Sequence, residues 1–276
     1  MAQGLGIEPE AFRAFEHAGW QRVAAVYDDT FESLTTQSVA ALLDAANVRR
    51  GGHLLDVATG PGYVARAALE RGAYAVGVDF SSAMIARARH AAPGVEFEEA
   101  DATALPFADA SFDAVTMNYG LLHLAEPELA LSEARRVLKP GGRFAFAVWA
   151  SPMHARGLGI VLEAVREHGD LGVPLPAGPP FFRFSEHSEA RHVLLERGFA
   201  QPHVIDVAQT WYLPSIDALF DAVLRGTVRT AGLLRAQTPQ ALARIRAAVA
   251  EASTPHRHAD GLALPMPAVV ASALKR

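Results

Sequence analysis

Between residues 50 and 150, short apolar runs alternate with stretches whose apolar positions recur at helical spacing, and this pattern predicts strands and helices in turn. Residues 53–57, 74–78, 95–99, 112–117 and 143–149 read as strands. Residues 63–71, 82–90 and 128–138 read as the helices between them. Ser81 and Ser82 offer an N-cap for the second of these helices, with Met84, Ile85 and Ala88 on its inner face. The third runs into Lys139-Pro140-Gly141-Gly142, a cation followed by residues that cannot continue a helix. Units of this length imply a parallel sheet with right-handed crossovers.

The flanks read differently. Upstream, residues 8–47 show helical spacing through Phe12, Phe15, Trp20, Val23, Val26 and Tyr27, and Trp20 and Tyr27 share one face. Downstream, residues 151–183 are rich in Gly and Pro and are expected to cover a site. Helices are expected over 185–197, 215–224 and 239–252, one strand over 202–212, and a last strand over 267–274.

Composition narrows the class. The 276 residues are half apolar and one-fifth charged, which suits a globular enzyme with a large core. A net charge of -5 argues against a nucleic-acid partner. No apolar run is long enough to span a membrane, and MAQGLGIEPE lacks the basic start and apolar core of a secretion signal, so the expected location is the cytoplasm. With no cysteine there is no disulfide and no thiolate ligand. The histidine pairs 187/192 and 256/258 lack matching carboxylates, so no metal is expected.

Candidate chemistry gathers at HLLDVATGPGY. A strand that breaks into Gly60 and Gly62 and then a helix brings backbone N–H groups close to a ligand. The pattern Gly60-x-Gly62-x-x-Ala65 also suits a dinucleotide, but Asp56, four residues before Gly60, would repel a pyrophosphate and favour a cationic tail. Asp79 ends the second strand, where a carboxylate accepts hydrogen bonds from ribose hydroxyls. Asp101-Ala102 follows the third, where one side chain and one backbone N–H can read an adenine edge.

Together the segments LLDVATGPGY, VGVDFSSAM, EADATALPFADASFDAV and LLHLAEPELALSEARRVLKPGGRFAFAVW resemble class I S-adenosylmethionine-dependent methyltransferases. Within that superfamily they are similar to the small-molecule enzymes of ubiquinone and menaquinone biosynthesis. The resemblance is dense over residues 50–150 and keeps the segment order; Thr59 stands where many relatives have Cys. It implies a Rossmann-like α/β fold with a mainly parallel seven-stranded sheet whose last strand is antiparallel. It also implies an N-terminal helical lid over residues 1–49 and a domain over 50–276 with cap insertions near 150–184 and 213–262. S-adenosylmethionine is the implied cofactor and S-adenosylhomocysteine the product. Carried over by position, Ala58, Thr59, Gly60 and Gly62 would wrap the methionine end, and Asp56 would face its ammonium. Asp79 would hold the ribose, Phe80 and Met84 would flank the adenine, and Asp101 and Ala102 would read its edge. Asn118 would offer its backbone carbonyl near the methyl. In related enzymes a W-x6-Y helix folds over the cofactor, which makes Trp20 and Tyr27 candidate lid residues and the Tyr27 hydroxyl a partner for the methionine carboxylate.

Methyl transfer is an in-line displacement that needs alignment and exclusion of water, and a base only where the acceptor must lose a proton. His123, just past the fourth strand, is the first candidate for that base or for acceptor binding; His154 and His187 are weaker ones. The Asn-Pro-Pro-aromatic loop of amine and amide methylating enzymes is replaced by Asn118-Tyr119-Gly120-Leu121. Phe181, Phe182, Trp149, Trp211 and Tyr212 suggest aromatic pocket walls, so the expected acceptor is a small, partly apolar metabolite methylated at O, N or C. A homodimer stays open. The alternative is a lyase or cyclase that uses the same cofactor without transferring its methyl.

Overall fold

The computed structural model describes residues 8–259 and 261–276; the first seven residues of the expected lid lie outside them. Seven strands form the main sheet: β1 (His53–Val57), β2 (Tyr74–Asp79), β3 (Glu96–Glu99), β4 (Phe112–Asn118), β5 (Leu138–Trp149), β6 (Ala200–Val207) and β10 (Ala268–Leu274), in the order β3-β2-β1-β4-β5-β10-β6. The pairs β1–β2, β2–β3, β1–β4 and β4–β5 are parallel. β10 enters between β5 and β6 and runs antiparallel to both. The expected mainly parallel sheet with an antiparallel last strand is therefore observed. Strand order reverses between β1 and β4, which leaves a crevice beyond the carboxyl ends of the central strands.

Burial explains why these segments are strands. β1 buries every residue after His53, and β4 buries Val115, Thr116 and Met117 in succession, as expected for strands covered on both faces. The covering helices carry one apolar stripe each: Val64, Ala65 and Ala68 on α4 (Tyr63–Glu70), Met84, Ile85 and Ala88 on α5 (Ser82–Ala91), and Ala130, Leu131, Ala134 and Val137 on α6 (Pro127–Val137). Ser81 caps α5 through the Met84 amide at 3.3 Å.

The N-terminal segment has two parts. α1 (Pro9–Val23) lies over the crevice edge and is followed by short turns and α2 (Ser33–Thr35). α3 (Val39–Ala45) buries Val39, Leu42 and Leu43 in the same core as the sheet. Asp28 anchors the turns, accepting from the Tyr63 hydroxyl and the Arg87 guanidinium.

Two sequence expectations change. Residues 202–212 are not one strand: β6 ends at Val207 and β7 (Thr210–Leu213) joins a small antiparallel sheet with β9 (Gly261–Pro265) and β8 (Arg257–His258). The break comes at buried Gln209, whose carbonyl accepts from the Met266 amide at 2.9 Å and whose side chain meets the Tyr119 hydroxyl at 2.8 Å. The Gly-rich stretch after Ser151 holds a helix, α7 (Arg156–His168). Its glycines serve close packing, since a Cβ at Gly157 would stand 2.9 Å from the Trp211 ring and one at Gly159 2.0 Å from the Pro152 carbonyl oxygen. The rest of the cap is built from α8 (His187–Glu196), α9 (Ile216–Gly226), α10 (Arg229–Arg235) and α11 (Pro239–Ser253), of which α10 was not foreseen. Among the described residues no helix is long and apolar enough to cross a membrane.

Candidate active site

The glycine turn after β1 is shaped by left-handed backbone. Ala58, Gly60 and Gly62 have φ of 54°, 53° and 84°, and the turn is tied to β2 by the Thr59 amide donating to the Val78 carbonyl at 2.9 Å. A positive φ at an alanine is uncommon and belongs to places where the surroundings fix the chain. Tyr119, past β4, is the second such residue here, with φ 56°. The two loops touch at Gly120, where a Cβ would come within 2.5 Å of the Ala58 Cβ. The carboxyl ends of β1 and β4 thus meet only because one of the two contacting positions has no side chain.

A cavity opens beside this turn, and most of the expected cofactor residues line it: Tyr27, Ala58, Thr59, Gly60, Asp79, Phe80, Met84, Asp101, Ala102 and Asn118. Asp79 is buried and already organises the wall. Its two oxygens accept from the Gly60 and Ser81 amides, each at 2.9 Å, and burial, ahead of those bonds, pushes its carboxyl up to about 6. Asp101 is held by the Thr103 amide and hydroxyl at 2.8 and 2.7 Å and faces Arg13 of α1 at 3.0 Å, with Glu126 beyond at 3.5 Å. Phe80 meets His17 edge-on at 5.3 Å, and Met84 is buried against Val23, Ala24 and Val228. The Asn118 side chain ties the N-terminal turns to β4, donating to the Thr35 carbonyl at 3.1 Å and accepting from the Ser38 hydroxyl at 2.9 Å.

Two residues of the glycine motif stand elsewhere. Asp56 does not line the cavity; it is fully buried behind it and accepts from the Thr59 and Thr116 hydroxyls at 2.6 and 2.9 Å. Burial drives its carboxyl up to about 7, with Asp79 adding to the rise. The expectation that Asp56 faces a ligand directly is therefore corrected: Thr59, which lines the cavity, takes its place there and Asp56 sits behind it. Gly62 is turned the other way, where a Cβ would strike the Phe97 ring at 2.8 Å, so it fits α4 against β3.

The other end of the cavity is aromatic. Tyr119 stacks on Trp149 with centroids 4.0 Å apart, Tyr27 lies over Phe31 at 6.1 Å, and Phe181 closes the side. Burial pushes the Tyr27 hydroxyl up to about 12. The expected walls Phe182, Trp211 and Tyr212 are not part of it: Trp211 is buried on Phe31 at 4.7 Å and Tyr212 is 63% exposed.

His123 lines the cavity, edge-on to Trp20 at 4.7 Å and to Phe181 at 5.7 Å. Its Nδ1 is 3.1 Å from Oε2 of Glu16, an oxygen that also accepts from the Trp20 indole at 3.1 Å. Glu16 is wholly buried, and its Oε1 has no partner among the described residues. His154 and His187 lie outside the cavity, paired with Ser151 and Asp206. Glu16, behind His123 and Trp20, and the cavity residue Arg229 were not expected from the sequence. A signal for Glu16 existed, since it sits in the buried stripe Phe12, Glu16, Gly19, Val23 of α1, where a carboxylate is out of place.

The comparisons agree with this geometry. Residues 55–146 match the family model described as "Methyltransferase domain". With the sheet order, this likeness gives residues 55–146 the character of a methyltransferase domain and makes the chain similar to class I S-adenosylmethionine-dependent methyltransferases, those of the menaquinone type among them. Demethylmenaquinone methyltransferase of Renibacterium salmoninarum is 40% identical over 134 residues, 47% of this chain and 56% of that protein. The chain thus spans little more than half the length of that curated relative. Among solved structures, the [4+2]-cyclase SpnF aligns over 95% of this chain and 96% of its own, with a TM-score of 0.59 and 20% identity. Phospholethanolamine N-methyltransferase 2 of Haemonchus contortus, solved with phosphomonomethylethanolamine and S-adenosylhomocysteine, aligns over 97% of this chain and 61% of its own, with a TM-score of 0.57 and 20% identity. These two likenesses concern the fold.

Proposed function

We propose that this protein transfers a methyl group from S-adenosylmethionine to O, N or C of a small, partly apolar acceptor. The observation that carries the reading is buried Asp79, hydrogen-bonded across the glycine turn to the Gly60 amide at the wall of a cavity whose far end is aromatic. The residues fit the cofactor. Asp79 accepts ribose hydroxyls, Phe80 and Met84 flank the adenine, Asp101 and Ala102 take its edge, and Ala58, Thr59, Gly60 and Asn118 surround the methionine end. The Tyr27 hydroxyl is the proposed donor to the methionine carboxylate, a role that suits a phenol kept protonated by burial. When bound, the cofactor supplies an electrophilic methyl on a sulfonium.

The remaining work falls to this chain. α1 excludes water from the cavity, and the aromatic end aligns a planar, apolar acceptor. The name of the curated relatives, demethylmenaquinone methyltransferase, agrees with an acceptor built on an aromatic ring system. Glu16 holds His123 by Nδ1, which fixes the tautomer and leaves Nε2 to take the acceptor proton where the reaction releases one.

Calorimetry with S-adenosylhomocysteine and with NADH tests the cofactor, and mass spectrometry of S-adenosylhomocysteine formed with an acceptor tests the transfer. The reading requires binding of the first ligand and production of the nucleoside. Binding of NADH alone would overturn the cofactor, and turnover without S-adenosylhomocysteine would leave the lyase or cyclase.

A further inference from the structure

The cavity is lined by two arginines in opposite situations. Arg13 is neutralised by Asp101 and Glu126 at the rim. Arg229, at the start of α10, has no carboxylate within ion-pair distance among the described residues. Its Nη2 donates to the Pro179 carbonyl at 2.9 Å, and its Nη1 is buried with no partner. The guanidinium is held in place by aromatic rings, its Cζ 5.0 Å from the Phe12 centroid and 5.4 Å from that of Phe181. Phe12 in turn is gripped by the cap segment, since a Cβ at Gly178 would stand 2.2 Å from its ring. Helix α1, the Gly178–Phe181 stretch and α10 therefore converge to fix one cation at the aromatic end of the cavity, beside His123, which meets the same Phe181 ring.

A buried guanidinium with a free N–H is costly unless something in the cavity accepts from it. Glu16 is a candidate inside the protein, with Oε2 held by His123 and Trp20 and Oε1 unpaired, but neither oxygen lies within ion-pair distance of Arg229. The cofactor residues of the glycine turn and of β2 line the same cavity and make no hydrogen bond to Arg229, whose described bond goes to Pro179. We propose that Arg229 is the acceptor-recognising residue of this site and that the acceptor is an anion, an aromatic or similarly apolar body carrying one ionised oxygen, either a carboxylate or an ionised enol or phenol. The unpartnered Nη1 offers a charge-assisted bond to that group, with Phe181 packing on the body beside it. The second polar function of the acceptor then lies toward His123, so the charge recognised and the proton removed are separate groups. This assignment rests on reading the cavity as that of a methyltransferase.

The test loads the protein with S-adenosylhomocysteine and titrates two matched pairs by calorimetry: 2-naphthoate against 2-naphthamide, and 2-hydroxy-1,4-naphthoquinone, ionised at neutral pH, against its neutral methoxy ether. The wild type should bind at least one anion about 10-fold or more tightly than its neutral partner. Arg229→Met should erase that preference while S-adenosylhomocysteine affinity holds, and Arg229→Lys should keep part of it. Which pair shows the preference separates carboxylate from ionised enol. Equal binding within both pairs, or no binding in either, overturns the proposal. So does a loss of S-adenosylhomocysteine affinity in Arg229→Met with the preference intact, which would give the guanidinium to the cofactor's carboxylate. An intact preference with intact cofactor affinity also overturns it and leaves Arg229 as an internal partner of Glu16. Failure of the wider reading looks different, because S-adenosylhomocysteine itself would not bind.

Discussion

Asp79, on the cavity wall, and Glu16, behind His123 and Trp20, are both buried carboxylates, and their surroundings assign them different work. Asp79 accepts two backbone amides, which leaves further lone pairs for hydroxyls arriving from the cavity. Asp79→Ala should therefore weaken S-adenosylhomocysteine binding by at least ~10-fold, the loss of charge-assisted bonds, and unchanged affinity in calorimetry would remove the ribose assignment. Glu16 meets the cavity through His123 and Trp20. Glu16→Gln keeps the shape but turns the carboxylate that holds His123 Nδ1 and the Trp20 indole into an amide. We expect cofactor affinity within about twofold of wild type and a kcat lowered about 10-fold, because the imidazole is less firmly oriented. His123→Ala should likewise spare cofactor affinity. If Glu16→Gln leaves kcat unchanged, Glu16 only supports the helix.

At the scale of elements, α1 and the loop between α9 and α10 pack together beside the cavity. Gly19 is where they touch: a Cβ there would lie 2.2 Å from a Val228 methyl. Gly19→Ala should wedge the helix away at a local cost of about 1–3 kcal/mol. Hydrogen exchange should then quicken in α1, with weaker cofactor binding, while β1 and β4 keep their protection. Uniform loss of protection would show that α1 belongs to the global core. The sequence made the strands and glycine turn legible because β1, β2 and β4 are short, apolar and bounded by chemistry that few other folds require. It concealed α7 and α10. Gly157 and Gly159, which resemble loop residues in a linear reading, are required by the ring of Trp211 and the carbonyl of Pro152, partners far away or across a turn. Asp56 was legible as a conspicuous carboxylate, but its direction was not, since that depends on Thr116 sixty residues on. Arg229 was invisible for a similar reason: its partners Phe12 and Pro179 come from two other segments.

For the whole molecule the consequence of burying Asp56 and Asp79 together is a dependence on pH. Both carboxyls are raised by burial, to about 7 and about 6, so the folded protein holds protons that the unfolded chain has already released. A raised acid opposes folding once it must ionise. Stability of the ligand-free protein should therefore fall as pH rises from ~4 through 7, then level off. Glu133 and Glu163 act in the other direction. Held low by Arg136 and Arg156, they contribute above ~4 and are lost in stronger acid, and being partly exposed they contribute modestly. Cofactor binding reverses the sign of the first effect. Ribose hydroxyls bond an ionised Asp79 more strongly than a protonated one, and a cationic tail near Thr59 would favour ionised Asp56, so binding should expel protons. S-adenosylhomocysteine affinity should accordingly rise between pH 5.5 and 8, and the thermal shift it produces should be larger at pH 8, where the free protein is least stable. Calorimetry at pH 6.5 in two buffers of different ionisation heat should register net proton release. Affinity that is flat across this range, with no proton released, would mean that the two carboxylates are already ionised in the free protein or remain protonated in the complex.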